Sequence, residues 1–484
     1  MAKLPTFQEL KTVHIIGVCG TLMGAFAAFL KRKGITVTGS DQNVYPPMSD
    51  VLKGAGVKLF SGYSEENLKS LEYKPDLVVI GNVINKANPE AAYAITHGYA
   101  YTSLPEAMEK LMLSDTRNLV VAGTHGKTTT SSLLAFVLAN AKKDPSYFIG
   151  GVSHDLPFSF HVPSIDAGQY FILEGDEYDT AFWDKVPKFN HYLPNDVILT
   201  SVEFDHADIY ADLKAVEKAF EGLMSRIRPE GRLIACTDYE SVKKLLPLAK
   251  VPVLTYSATK GNARFTPVEV KNDPEFSRFK VWDDESKTTS AEVSIRLPGQ
   301  HNVMNALSVF IECKELGLSE AEIITGLSKF QGVKRRQEIR GEVKGVIVLD
   351  DFAHHPTAVK ETLLALKNRY PQKRLVTIFE PRSATSRRKV FQNDYAQAFA
   401  KADAVYIAAP FDQSKIAAED QFSSEQLVQD IQKQGRPARV FLTVEDGVKE
   451  VAKSSQPGDL IAVLSNGGFG GFIPQLLEML SRNP

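Results

Sequence analysis

Short apolar runs, each closed by a glycine or polar turn and followed by a helical pattern, recur along the chain. Residues 13–18 read as a buried strand, 19–24 as a glycine-bearing turn and 25–33 as an apolar helix stopped by Gly34. Residues 35–38 form the next strand, running into Gly39-Ser40-Asp41, and residues 77–80 a third. A second unit opens with a strand at 119–122, a glycine loop at 123–127 and a helix at 128–140, with further strands at 170–173, 197–200 and 232–235. The polar, proline-bearing stretch 260–290 predicts hairpins or a surface insertion. After the basic run Lys334-Arg335-Arg336, strands at 346–349, 375–379, 404–408, 439–442 and 460–464 alternate with helical patterns. One helix starts at Pro356, a residue suited to the first helical position. Strand–helix alternation predicts α/β units with mainly parallel sheets covered on both faces. The expected divisions are 1–112, 113–333 and 334–484, about three domains for 484 residues.

Composition narrows the class. Lys+Arg 56 against Asp+Glu 58 leaves a net charge of −2, so there is no basic field for nucleic acid. A hydrophobic share of 43% with 24% charged residues is that of a globular chain. The apolar runs fall short of the roughly 20 residues a bilayer span needs, and the first residues lack the apolar core of a secretory signal. Three cysteines, Cys19, Cys236 and Cys313, make neither a disulfide framework nor a zinc cluster. The expectation is a cytoplasmic protein with no nucleic-acid or membrane partner.

The chemistry-bearing residues gather at strand ends. Gly123-Thr124-His125-Gly126-Lys127-Thr128 lies between a strand and a helix, where backbone N–H groups and the helix dipole favour a polyphosphate. Lys127 would reach the β/γ-phosphates and Thr128 would hold Mg²⁺. The loop is a shortened variant, with Val121 where the longer loop has glycine. Glu174-Gly175-Asp176-Glu177-Tyr178-Asp179 follows another strand, where a carboxylate beside the phosphate loop suits a hard cation. Glu203-Phe204-Asp205-His206 follows a third, and His206 is either a second cation ligand or an ordinary hydrogen-bonded histidine. Asn302 and Asn305 sit three apart at the start of an apolar helix expected over 306–314, as caps or as amides for an adenine edge. Asp350-Asp351-Phe352-Ala353-His354-His355 suggests a site reaching toward the nucleotide from the third unit. Ser465-Asn466-Gly467-Gly468 gives either close backbone approach to a ligand or a tight turn.

Taken together these motifs resemble the Mur ligase family of peptidoglycan synthesis, and the resemblance covers the whole chain. It implies an α/β three-domain architecture: a Rossmann-like N-terminal domain, a P-loop central ATPase domain and a Rossmann-like C-terminal domain. Gly17, Gly20, Thr21, Ser40 and Asp41 then fall in a UDP-N-acetylmuramate site. The phosphate loop with Thr129, together with Asn302 or Asn305, Arg335 and Asp351, falls on ATP. Thr128, Glu174 and His206 fall on Mg²⁺, Lys127 and His354 on phosphate charge, and Arg382, Ser383 and Asn466 on peptide carboxylates. Asn43-Val-Tyr-Pro-Pro-Met48, Asp176-Glu-Tyr-Asp179 and Glu380-Pro-Arg-Ser383 are similar to the branch that attaches a murein tripeptide during recycling. The alternative branch adds L-alanine and usually has serine at the position of Tyr178. Two departures are Ser201, where asparagine is usual, and the lack of a lysine matching the modified lysine of later-acting relatives, with Glu221 near that place. The resemblance implies a monomer or weak homodimer.

Two readings from other classes compete. A nicotinamide dehydrogenase could be built on Gly17–Asp41, but the glycine spacing is wrong for it and the phosphate loop has no place there. A nonenzymatic UDP-sugar sensor would have little use for Lys127 and Glu174.

Overall fold

The computed structural model describes residues 4–44, 48–163, 169–273 and 275–482. Residues 45–47 of the Asn43–Met48 motif lie outside the described residues. Among the described residues, the strands assemble into a five-stranded, an eleven-stranded and a six-stranded sheet, with a separate two-stranded hairpin.

The first sheet is parallel, in the order Lys58–Ser61, Thr36–Asp41, Thr12–Ile16, Leu77–Ile80, Tyr101–Ser103. Strand order reverses at Thr12–Ile16, which opens a crevice at its carboxyl end, and the helix Thr21–Arg32 starts there. Gly17 makes the turn at φ +86°, left-handed backbone that suits glycine.

The second sheet has a parallel centre ordered Val253–Tyr256, Arg232–Cys236, Asp196–Leu199, Arg117–Ala122, Tyr170–Gly175, Ser146–Phe148. The 260–290 stretch contributes a hairpin, Phe265–Asn272 with Ser277–Asp283, that extends this sheet at one edge. The helix Lys127–Asn140 is buried along most of its length, because Gln300–Glu315 and Glu320–Lys329 cover the face turned away from the sheet. The third sheet runs Val346–Asp351, Asp459–Leu464, Arg374–Phe379, Ala404–Ala408, Ala438–Phe441 in parallel, with Glu338–Val343 antiparallel at the edge. Separate apolar clusters cover its two faces.

Two elements differ from the sequence reading. The helix expected from residue 306 begins at Gln300, because Gly299 at φ +101° turns the chain into it six residues earlier. No position of Glu338–Val343 is buried, so it shows no buried-strand pattern although it pairs along the sheet edge.

The units dock through side chains. Phe26 and Phe29 of the first pack on Phe160 of the second, with ring centroids 5.9 and 4.9 Å apart. Trp183, in the hairpin Asp179–Ala181/Asp184–Pro187, sets its ring at 88° to Tyr101 across 5.2 Å. His191 bridges Glu109 Oε2 (2.6 Å) and Asp184 Oδ2 (2.7 Å). Among the described residues no helix is long and apolar enough to cross a membrane.

Candidate active site

The strand Arg117–Ala122 delivers Gly123–Gly126 to the amino end of the helix Lys127–Asn140. Gly123 lies at φ +134°, and a Cβ there would collide with Thr200 Oγ1 and sit 2.8 Å from the Ser201 backbone. Gly126, at φ +80°, lies so close to Asn305 that a Cβ would be 2.6 Å from its Oδ1. The loop is held from beneath. Thr124 N donates to Ser201 O (3.0 Å), His125 N to Ser201 Oγ (3.0 Å), and Thr200 Oγ1 to His125 O (2.6 Å). Serine at 201 therefore supports the loop with its hydroxyl. Thr129 is buried in the first turn. A short glycine loop feeding a helix start is a polyphosphate cradle, and ATP fits it.

Lys127 Nζ donates to Gly123 O (2.6 Å) and to Glu177 Oε1 (3.1 Å). Burial alone would lower its pKa, but the Glu177, Asp176 and Glu174 carboxylates outweigh that and hold it above the ordinary lysine value. Thr128 Oγ1 donates to Glu174 Oε1 (2.7 Å), and Gly150 N to Glu174 Oε2 (2.7 Å). Burial pushes Glu174 up, against these two bonds and Lys127. A hydroxyl and a carboxylate, both oxygen donors beside a phosphate cradle, fit a hard divalent cation such as Mg²⁺. His206 is tied to Lys127 through Glu177, whose Oε1 lies 2.8 Å from His206 Nε2 and accepts from Lys127 Nζ. The Tyr178 ring lies 4.2 Å from the His206 ring, tilted at 57° to it. Glu221 is exposed on its helix and does not enter the site.

The third unit closes over the second through direct bonds. Thr385 Oγ1 donates to Asp205 Oδ1 (2.6 Å), and Thr357 Oγ1 to Glu203 Oε1 (3.0 Å). Glu203 Oε2 lies 2.7 Å from His125 Nε2, so one carboxylate ties the phosphate loop to the helix Pro356–Arg369. His355 caps that helix. Its Nδ1 accepts from Thr357 N (3.2 Å), which leaves the proton on Nε2, 3.1 Å from Phe204 O. His125, Glu203 and His355 group their donor atoms within 4.8 Å, but this tautomer leaves His355 no free lone pair for a cation. Burial, then His125, lowers the His355 pKa to about 4. His354 differs from the expected phosphate-charge stabiliser. Its Nδ1–H donates to Phe352 O (3.0 Å) and burial lowers its pKa, so Nε2 is unprotonated and the ring is neutral.

Asn302 and Asn305 lie inside the helix Gln300–Glu315, which Gly299 caps, so neither is an N-cap. Asn302 Nδ2 donates to Pro298 O (2.8 Å) and Asn305 Nδ2 to Asn302 Oδ1 (3.2 Å), which sets both amides beside the phosphate loop. In the first unit, Gly17 N donates to Ser40 O (2.8 Å), and Asp41 accepts from Cys19 N (2.9 Å) and Asn43 N (3.0 Å). Gly20 precedes Thr21 at the helix start, and Ser40 Oγ is buried without a partner. Burial and Asp41 push the Cys19 thiol up to about 11, so it is no nucleophile.

In the third unit Arg382 lies on the Phe411 ring (3.9 Å) with its NH1 on Glu380 Oε1 (3.2 Å). Gly467 lies against the Arg382 guanidinium and the preceding Asn466 Oδ1 is buried and unpartnered, while Ser383 Oγ is committed to Ser386. Asp351 accepts from Gln337 N (2.8 Å) and Ala353 N (2.7 Å) at the end of its strand.

Family models match this architecture unit by unit: the Mur ligase family catalytic domain over residues 12–116, the middle domain over 121–313, and the glutamate ligase domain over 335–467. A relative from Escherichia coli (strain K12), named UDP-N-acetylmuramate–L-alanyl-gamma-D-glutamyl-meso-2,6-diaminoheptandioate ligase, is 37% identical over 97% of this chain and 98% of its own length. The chain belongs to the Mur ligase family. A UDP-N-acetylmuramate–L-alanine ligase from Chlorobium phaeobacteroides (strain BS1) is 34% identical over 83% of this chain and 82% of its own. The solved structure of a murein peptide ligase from Psychrobacter arcticus 273-4 superposes with a TM-score of 0.71 at 33% identity, covering 98% of this chain and 99% of that one.

In this Mur ligase the expected nucleotide contact Arg335 is turned away. Its NH2 donates to Ser465 O (2.6 Å) and Gly467 O (2.7 Å), and its Nε to Asp350. Arg336 is the guanidinium near Glu174 and Asp351, stacked 4.6 Å over Phe352, with its pKa lowered by burial. Sequence offered no means to choose between adjacent arginines; backbone direction decides, with Arg335 at φ +60°. Reading the acids singly also missed Glu177 as a bridge, and nothing in the spacing pairs Thr385 with Asp205.

Proposed function

We propose that this Mur ligase joins UDP-N-acetylmuramate to L-alanyl-γ-D-glutamyl-meso-diaminopimelate, converting ATP to ADP and phosphate. The observation that carries this reading is the 37% identity, nearly end to end, with a relative named for that reaction. Residues 1–112 are assigned the UDP-sugar, 113–333 ATP and 334–484 the peptide. The site is proposed to work in the cytoplasm, as a monomer or weak homodimer.

A carboxylate resists amide formation because its leaving group would be oxide. Transferring the γ-phosphoryl group to the muramate carboxylate gives an acyl phosphate and ADP. The peptide amine then attacks the acyl carbon, loses a proton, and phosphate departs with the former carboxylate oxygen. Transfer between two anions requires position and charge neutralisation more than covalent help. Lys127 and the 123–127 amides hold the polyphosphate, and Arg336 adds positive charge from the closing unit. Thr128 and Glu174 would hold one Mg²⁺ and His206 a second, and these would supply further neutralisation. Asn302, Asn305 and Asp351 are assigned to the nucleoside. His354 Nε2 is an unprotonated imidazole nitrogen at the interface, suited to accept the amine's proton. Gly17, Gly20, Thr21, Ser40 and Asp41 cradle the UDP-sugar, and Arg382 with Asn466 receives peptide carboxylates.

A second reading, addition of L-alanine, has the 34% identical relative in its favour. Phosphate release from ATP and Mg²⁺ with UDP-N-acetylmuramate, comparing tripeptide with L-alanine, separates the two. Turnover with tripeptide alone supports the proposal, and turnover with L-alanine alone replaces it.

A further inference from the structure

Glu177 is the most enclosed charge in the site, its side chain 3% exposed. Oε1 takes the Lys127 ammonium (3.1 Å) and lies 2.8 Å from His206 Nε2. Oε2 lies 2.9 Å from the same ammonium, yet it has no aligned hydrogen-bond donor. The surroundings are rigid. Tyr210 OH donates to the Glu177 carbonyl (2.6 Å), and His206, at φ +54°, is pinned by its N–H on Asp205 Oδ1 (2.7 Å).

This arrangement conflicts with the task of Lys127. The ammonium is drawn back against Gly123 O and Glu177, whereas a loop lysine serving a polyphosphate turns to the β/γ-phosphates. When it turns, Glu177 loses its cation at the moment another anion arrives nearby. A carboxylate this buried is costly without a counter-charge. The donor atoms next to it suggest the replacement. Ligands at right angles on an ion with bonds of about 2.1 Å stand roughly 3 Å apart. Glu177 Oε1 and His206 Nε2 stand 2.8 Å apart.

We infer that Glu177 is an exchangeable cation ligand: it holds the Lys127 ammonium in the free enzyme, and shares a divalent cation with His206 once nucleotide has drawn that ammonium away. The inference rests on the ATP and Mg²⁺ reading above, and it adds Glu177 to the cation ligands. Nucleotide and this second cation then assist each other's binding reciprocally.

Calorimetry with the β,γ-imido analogue of ATP, first in EDTA and then with Mn²⁺ counted by electron paramagnetic resonance, tests it. The wild type is expected to take two Mn²⁺ per bound analogue. Glu177→Gln removes the charge that restrains Lys127, so analogue affinity in EDTA rises about tenfold, on the scale of one charged hydrogen bond, while one Mn²⁺ is lost. His206→Asn loses the same Mn²⁺ without that gain, and Glu177→Asp keeps both ions. A purely structural Glu177 gives the opposite sign: weaker analogue binding in EDTA, which overturns the inference. Two Mn²⁺ retained in Glu177→Gln, or a single Mn²⁺ in the wild type, overturns it as well; the wild-type count stands even if the variant fails to fold. If the wild type binds no analogue in either condition, the nucleotide reading itself falls, and the inference with it.

Discussion

Thr385→Val isolates the bond that closes the third unit on the second. Thr385 is 2% exposed, and its hydroxyl donates to Asp205 Oδ1 (2.6 Å) while accepting from Ala207 N (3.2 Å). Valine keeps the volume and removes the hydroxyl, leaving a buried carboxylate and an amide each short of a partner. Burial raises the Asp205 pKa, but the His206 charge and the Thr385 bond hold it well below the carboxylate range, so the acceptor is charged. A hydrogen bond to a charged group is worth about 2 kcal/mol, roughly thirtyfold in an equilibrium. That factor is expected as a loss in kcat/KM for phosphate release, with Thr385→Ser restoring most of it. A double-mutant cycle with Asp205→Asn provides the check: the double variant should be no worse than Asp205→Asn alone. Fully additive losses would show that the two side chains do not act through each other and would refute the reasoning.

Gly123→Ala combines positive-φ strain with a clash against Thr200 and Ser201, each about 1–3 kcal/mol, so the melting temperature should fall and nucleotide binding should be lost in the same variant. A variant as stable as the wild type would count against the described loop geometry. His191 has a raised pKa, because its bonds to Glu109 and Asp184 outweigh the burial that would lower it. Its contribution is therefore complete below the unfolded histidine value of about 6.5 and is lost as pH rises through the higher folded value; His191→Gln should flatten that part of the stability–pH curve. Arg382→Ala should raise KM for the tripeptide at least about tenfold and leave KM for ATP unchanged, since a guanidinium–carboxylate contact affects only the peptide. A rise in both would move Arg382 out of the peptide site.

Much of this protein is legible in its sequence. The strands at 77–80 and 404–408 coincide with Leu77–Ile80 and Ala404–Ala408, because parallel strands buried on both faces are near-continuous apolar runs. The phosphate loop was legible for a local reason: glycine at 123 and 126, a lysine and a threonine at a strand–helix junction form a cradle from backbone that neighbours in sequence. Edge elements were not. Glu338–Val343 owes its extended form to pairing with Val346–Asp351 rather than to its own pattern.

Contacts between distant residues were settled by the tertiary structure. Arg335 and Arg336 are equivalent in sequence, and a left-handed backbone at 335 sends one guanidinium to its own unit's carbonyls and the other toward Glu174. His354 and His355 are likewise adjacent; a helix cap fixes one tautomer and the Phe352 carbonyl the other. Glu177 becomes a bridge between Lys127 and His206 because three strand ends meet, 50 and 29 residues apart along the chain. Sequence determines which groups stand at the strand ends, since burial period and turn chemistry act over a few residues. Which of those groups touch, and with what charge, is decided by the packing that brings separate strand ends into one low-dielectric space.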